Sequence, residues 1–580
     1  MACMIIRQGR MTSKSRKKKK NGPEGRHLAL LLFLVLLIAA GVTAWQKYGP
    51  VRKYMDEKDL FSVSGSRVAI MYDYELQQAT ALLEDGEVYL PCAFVQTLLN
   101  RRFYWDQEEE ILSYVLPEGV RRIRPEDEDS SGKKLFVFSD GKPYLSSALV
   151  LEYTDIRLEP FTDGEIRRIF IMEPPEEDKL ADAKGKTALR AGKSWRNLIT
   201  AEVPKGAVLR LIPDHPGAGE GTKEDQKWQR VMADTGITGY VRKSSLKNER
   251  QAPYESSFVP AVYPSLSLGK PVVLGWHQVS IPQANKYLSE VIDSADSLNV
   301  VSPTWFTLKG NEGEFESRAS SSYVQEAHQA GLQVWALVDN LDESVTLGKL
   351  LEKTSVRQKL IDGLMKEAEE CGFDGINLDF ELLRKDAVDQ YLEFVREMYA
   401  ACREKNLILS VDVPNFASYN WHYTREELAV FCDYVINMGY DEHTSGDSAG
   451  STSSIGFFRE GLEETLEEVP AEKLIGGVPF YTRLWRISGG KTTSEAMTMR
   501  GAAEWVKKNQ VELVWDDDLG QYFGAAGDGE GGERQIWMED ARSMELKVSA
   551  LKEYGTAGIA CWRLGQETED IWKVIGGFLK

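Results

Sequence analysis

The run Phe373-Asp374-Gly375-Ile376-Asn377-Leu378-Asp379-Phe380-Glu381 gathers side chains that could do chemistry. Read as a β-strand, it alternates its side chains between two faces. Asn377, Asp379 and Glu381 then share one face, and Ile376, Leu378 and Phe380 share the other. Ionised groups are costly in a closed core unless they are paired or solvated. The polar face therefore has to end at an open mouth, with Glu381, the last of the three, nearest to it. Asp374 has the opposite parity and reads as a support for the strand.

The elements that would position these residues lie between Pro271 and the C-terminus. Apolar strand-like runs alternate there with helical stretches: VVLGWHQV, LNVVSPTWFTL, LQVWALVDN, GINLDFE, LILSVDVPN, YVINMGYD, KLIGGVPFY and GIACWRL. Eight such strands with helices between them are the count for an α/β (β/α)8 TIM barrel, whose chemistry sits at the C-terminal ends of its strands. The long gap before the last strand, roughly 483–554, has room for an inserted subdomain around Val514-Trp515 and Ile536-Trp537.

Upstream, residues 1–26 carry nine lysines and arginines against Glu24, a net +8, and the rest of the chain carries −27. The basic tail runs into an uncharged apolar segment, and 27–45 reads as a single transmembrane signal anchor. Lysines before it and little positive charge after it predict a cytoplasmic N-terminus and an extracellular body. The other reading is a signal peptide cleaved near Val42-Thr43-Ala44, giving a secreted protein. A body this acidic does not suit a nucleic-acid binder. The six cysteines show no C-x-x-C spacing and the six histidines no cluster, so no metal site or cofactor is expected.

Within 60–172, DGEVYLPCAFV (85–95) and DGKPYLSSALV (140–150) repeat at an offset of 55 residues, each reading as a turn, a strand and the start of a helix. The duplication resembles the copper amine oxidase N-terminal-like domain, with no copper chemistry implied. A stretch rich in Pro, Glu and Lys, EPPEEDKLADAKGK, reads as a linker. Residues 187–246 read as short strands around Lys205-Gly206, Trp228–Val231 and Gly239-Tyr240-Val241. They resemble a bacterial Src-homology-3-like barrel, a wall-binding module or a spacer. A second linker, NERQAPYESSFVPAVYPSLSLGKP, leads into the barrel region.

DGINLDFE resembles the D-G-x-D-x-D-x-E signature of glycoside hydrolase family 18, and other strands agree with it. Met438-Gly439-Tyr440-Asp441 is similar to the family's Met-x-Tyr-Asp, Gly477–Arg483 to its Gly-x-Pro-x-Tyr-x-Arg, and Trp562 falls at its strand-eight tryptophan. The resemblance spans 271–580 and is strongest to the spore-cortex and cell-wall glucosaminidase branch. It implies a substrate-assisted retaining glycosidase in which the sugar's own 2-acetamido group is the nucleophile. Glu381 would protonate the leaving oxygen with a raised pKa, aided by Asp379. Asp379 would orient the acetamido group, and Tyr440 would donate a hydrogen bond to its oxygen. Trp562 would be the sugar's floor, with Asp441, Tyr481, Arg483, Met438 and Asn377 as further substrate contacts. One departure is Asn377, where the family has aspartate. An amide can hydrogen-bond Asp379 but cannot relay a proton. The implied partner is an N-acetylated glycan polymer, peptidoglycan or spore cortex before chitin. The rival from another class is a non-catalytic glycan-binding protein on a hydrolase barrel.

Overall fold

The computed structural model describes residues 23–579 except 62, 165, 214–221 and 382. Most of the basic tail lies outside the described residues. Pro23–Tyr48 is one helix, and its Leu30–Tyr48 portion, with mean hydropathy 1.9, is long and apolar enough to cross a membrane. Beyond it the chain divides into two compact units. One holds residues through Tyr89 with Asp155–Ser257, and the other holds Leu90–Thr154 with the chain from Phe258 on.

In the first unit, Arg67–Tyr72 pairs in parallel with Arg168–Met172 and antiparallel with Glu75–Glu84. A seven-stranded antiparallel sheet follows, built on Ala181, Leu189, Leu209, Val231 and Val241. Its extent corrects the expected boundaries of 187–246. Glu177–Ala183, read as linker, is a strand pairing with both Val208–Ile212 and Leu246–Pro253, and the latter takes in the start of the second expected linker. Composition misled because this strand buries only Ala181 and Ala183, while its acids are half-buried and Lys179 is exposed.

The second unit is built on the barrel. Its strands are β1 (Val272–His277), β2 (Val300–Lys309), β3 (Gln333–Asp339), β4 (Gly375–Asp379), β5 (Ile408–Pro414), β6 (Tyr434–Met438), β7 (Leu474–Pro479) and β8 (Gly558–Trp562). Each pairs in parallel with the next, and β8 pairs back to β1, so the expected (β/α)8 barrel is closed. Alternate residues fill its interior: Val272, Leu274 and Trp276 from β1, Trp335 and Leu337 from β3, Tyr434 and Ile436 from β6. The opposite parity packs on the surrounding helices, as with Ile376 and Leu378 of β4. Leu266 and Leu268, in the segment before β1, pack against the interior cluster. Between β7 and β8 a five-stranded antiparallel sheet spans Tyr481–Ser488 to Glu533–Met538, with the helix Met499–Asn509.

A three-stranded sheet within Leu90–Thr154 (Tyr104–Asp106, Ile111–Leu116, Gly119–Ile123) shares this unit, and Val115 joins the barrel's outer core. The contact is also ionic. Arg102 Nε and Nη2 donate to Glu427 at 3.0 and 2.9 Å, and Arg396 donates to the same carboxylate at 2.8 Å. Burial alone would raise the Glu427 pKa; the two guanidiniums outweigh it and hold the carboxyl below its usual range. Removing one member of a buried pair leaves the others uncompensated, at about 3–5 kcal/mol. Glu427→Ala should lower unfolding stability by that order in urea titrations at pH 7. Because the folded pKa is depressed, the Glu427 contribution is complete above the unfolded-state pKa and disappears as pH falls through the folded one. The gap between parent and variant should therefore narrow in acid.

Candidate active site

Gly375 opens β4 because nothing larger fits: a Cβ there would stand 2.8 Å from the Ile408 carbonyl oxygen and 2.9 Å from the Trp335 ring. Asp374, just before it, accepts from the Val334 amide and meets His328 Nε2, both at 2.8 Å, and so braces the base of the strand. Asn377 and Asp379 then point inward, and Glu381 follows at the barrel mouth. Asn340 Nδ2 donates to the Glu381 carbonyl at 2.9 Å and fixes the backbone there.

A cavity of about 510 Å³ opens at this mouth. Its wall includes Asp379, Glu381, Met438, Tyr440, Asp441 and Trp562, together with Trp276, Asp412 and Tyr423. No lysine or arginine lines it among the described residues. Trp562 packs edge-to-face on Trp276 with ring centroids 5.7 Å apart, which leaves it a braced apolar surface. Asp441 sits at φ 64°, a left-handed conformation that aspartate tolerates better than most residues.

Three expected substrate contacts lie elsewhere. Asn377 is fully buried beneath the cavity and does not line it. Its Oδ1 accepts from Trp276 Nε1 at 2.9 Å and Ser302 Oγ at 3.1 Å, and its Nδ2 donates to Asp412 Oδ1 at 2.8 Å. The amide is thus engaged by β1, β2 and β5 rather than by Asp379. Tyr481, on the first strand of the inserted sheet, is buried outside the cavity and donates to Asp441 Oδ1. Arg483 also lies outside, donating to Ser494 Oγ at 3.0 Å. Side-chain parity fixes the strand face a residue occupies, and depth along the barrel decides whether a ligand can reach it.

Glu381 is raised above the usual carboxylate range by burial, then by the charges of Asp441 and Asp339. Asp379 is itself raised by burial, then by Glu381 and Asp339. Sequence reasoning missed Asp339 and Asp412. Each stands at an inward position of a largely apolar strand, the signal that had singled out Asp379.

Residues 283–567 match the model of Glycosyl hydrolases family 18. The chain carries a family 18 glycoside hydrolase domain. It is 23% identical over 296 residues to the Bacillus subtilis uncharacterized glycosylase YvbX, covering 48% of this chain and 84% of that one. It is 28% identical over 251 residues to the Bacillus subtilis cortical fragment-lytic enzyme, covering 41% of this chain and 58% of that enzyme. A crystal structure of a C-terminal domain from Desulfitobacterium hafniense matches 54% of this chain and all of its own length, with a TM-score of 0.50 at 20% identity, a likeness of fold.

An acid that must be protonated to act, the role expected of Glu381, loses activity as pH rises through its pKa. Replacing Asp441 by Asn removes one of the negative neighbours that raise Glu381. The basic limb of the kcat/KM profile for Asp441→Asn should shift to lower pH, with the acidic limb less affected.

Proposed function

We propose that the protein is a membrane-anchored, extracytoplasmic glycosidase that cleaves N-acetylglucosamine-containing glycan, peptidoglycan or spore cortex, by a substrate-assisted retaining mechanism. The observation that carries this reading is the placement of Asp379 and Glu381 at the end of one strand, in one cavity with Tyr440 and Trp562. The sugar would lie on Trp562. Glu381 gives its proton to the glycosidic oxygen as that bond breaks. The carbonyl oxygen of the 2-acetamido group bonds to the anomeric carbon, and Asp379 stabilises the positive charge developing on the acetamido nitrogen. Tyr440, whose hydroxyl pKa is raised by burial and then by Tyr481 and the neighbouring acids, stays a hydrogen-bond donor to the acetamido group. Water, deprotonated by the Glu381 carboxylate, then opens the cyclic intermediate with retention.

Support for a wall glycan comes from the cortical fragment-lytic relative, and support for the anchor from the helix Pro23–Tyr48. The anchor places the domain on the cell surface if the N-terminus stays inside, so external protease on intact cells should release the body and spare the tail.

Glu381→Gln keeps the size of the side chain but has no proton to give. Turnover of an unactivated N-acetylglucosaminide polymer should fall about 10²–10⁴-fold with binding retained. Asp379→Asn should also slow turnover, and a substrate without the 2-acetamido group should not be cleaved. Reducing-end release from purified wall against chitin oligomers ranks the two polymers. Equal rates for Glu381→Gln and parent on every N-acetylated glycan would make the protein a binding protein instead.

A further inference from the structure

Barrel register sets three aspartates side by side, two of which, Asp379 and Asp412, line the cavity. Asp339 of β3 is the register partner of Asp379 of β4. Leu378 of β4 is the partner of Val411 of β5, so the next step along both strands places Asp379 beside Asp412. Neighbouring strands run about 4.8 Å apart. All three residues are more than nine-tenths buried. Like charges directly opposite one another on a sheet repel, and no cation of the cavity wall separates them.

The three are not equivalent in their hydrogen bonds. Asp339 accepts from Thr307 Oγ1 at 3.0 Å and from the Leu341 amide at 3.1 Å, both of which suit an ionised carboxylate. Asp412 is fixed by Asn377. The indole of Trp276 can only donate, so Asn377 must present its oxygen there and its NH2 to Asp412 Oδ1. That leaves Asp412 Oδ2 as the oxygen to bear a proton. Asp379 has the complementary need, since its Oδ1 is buried with no hydrogen-bond partner.

We propose that Asp412 is a positioning residue for the reaction: a neutral carboxylic acid whose Oδ2–H donates to Asp379 and so keeps the acetamido-orienting carboxylate ionised and aimed. One proton is held between the two carboxyls, and no bond to it breaks during turnover. Asn377 completes the arrangement by keeping the proton off Asp412 Oδ1. The other titratable groups that face Asp412 are Asp379 and Glu381 from β4, Tyr440 after β6 and Tyr391 from the helix Val388–Lys405. None is basic. Burial and then the charge of Asp379 hold the Asp412 carboxyl well above the usual range, against the single lowering bond from Asn377.

The inference rests on the substrate-assisted reading, and its test separates the two. Asp412→Ala removes the donor, and Asp412→Asn keeps one in the same volume. Loss of a buried donor to a catalytic charge is typically worth about 10²-fold or more in kcat. Asp412→Ala should fall by about that factor with KM little changed, and Asp412→Asn should recover at least about ten-fold of it. Infrared difference spectra across neutral pH give a second readout that needs no substrate. The parent should show a carboxylic-acid C=O band that Asp412→Asn lacks. Parental kcat in Asp412→Ala, no recovery in Asp412→Asn, or an identical carboxyl band in parent and Asp412→Asn would each overturn the assignment. A parent that cleaves no N-acetylated glycan would sink the functional reading, while the infrared band would still decide where the proton resides.

Discussion

A closed eight-stranded barrel must fill its own interior, and a carboxylate placed there has neither bulk water nor room for a counter-ion. That constraint governs this molecule. Asp379 and Asp412 stand in neighbouring strands on the wall of a cavity that no lysine or arginine lines among the described residues, with Asp339 beside Asp379 on the next strand. The charge of Asp379 and Asp412 can therefore be relieved by retained protons and by hydrogen bonds to the ionised forms. The raised pKa values of Asp379, Glu381 and Asp412 share burial as their first cause, and their mutual repulsion adds to it. A carboxyl that keeps its proton near neutrality is what a general acid needs.

Depth along the barrel then sorts the inward residues into roles. The lower levels are apolar, with Leu274, Trp335 and Tyr434 among the packing. Above them Asn377 ties three strands together through Trp276, Ser302 and Asp412, where a second carboxylate facing Asp412 would add charge to a place already crowded with it. At the mouth come Asp379, Glu381 and Tyr440, on the floor and rim of the cavity. The amide at 377 is therefore consistent with an acid on β5: the pair keeps one carboxyl where two would repel.

Much of this was legible in the sequence. Eight apolar runs separated by helical stretches predicted the closed barrel, and period-two alternation in DGINLDFE placed Asp379 and Glu381 on its inner face. Reach was harder to read, because Asn377, Tyr481 and Arg483 carry suitable groups but sit below or beside the cavity. Asp412 escaped notice since a lone acid in LILSVDVPN gains meaning only from the register that brings it beside Asp379. The strand Glu177–Ala183 was hidden for a related reason: it is rich in charged residues, and only pairing with two distant strands defines it.

The rest of the barrel unit shows that this chain can neutralise buried charge where nothing else is asked of it. Arg357 and Glu397, both almost fully buried, meet at 3.0 Å; Lys547 and Glu539, equally buried, meet at 2.9 Å; Glu427 holds two guanidiniums. Each acid has a cation within hydrogen-bond reach, so the pair can stay ionised at modest net cost. At the cavity no such partner is provided, although the same helices and loops could carry one. An arginine there would lower the pKa of Glu381 and remove the proton that the proposed mechanism asks it to give, and it would fix the charge of Asp379 in an ion pair instead of leaving it for the developing cation of that mechanism. The contrast between paired acids in the packing and unpaired acids at the mouth separates residues that hold the fold from those available for chemistry, and it does so on burial and charge alone.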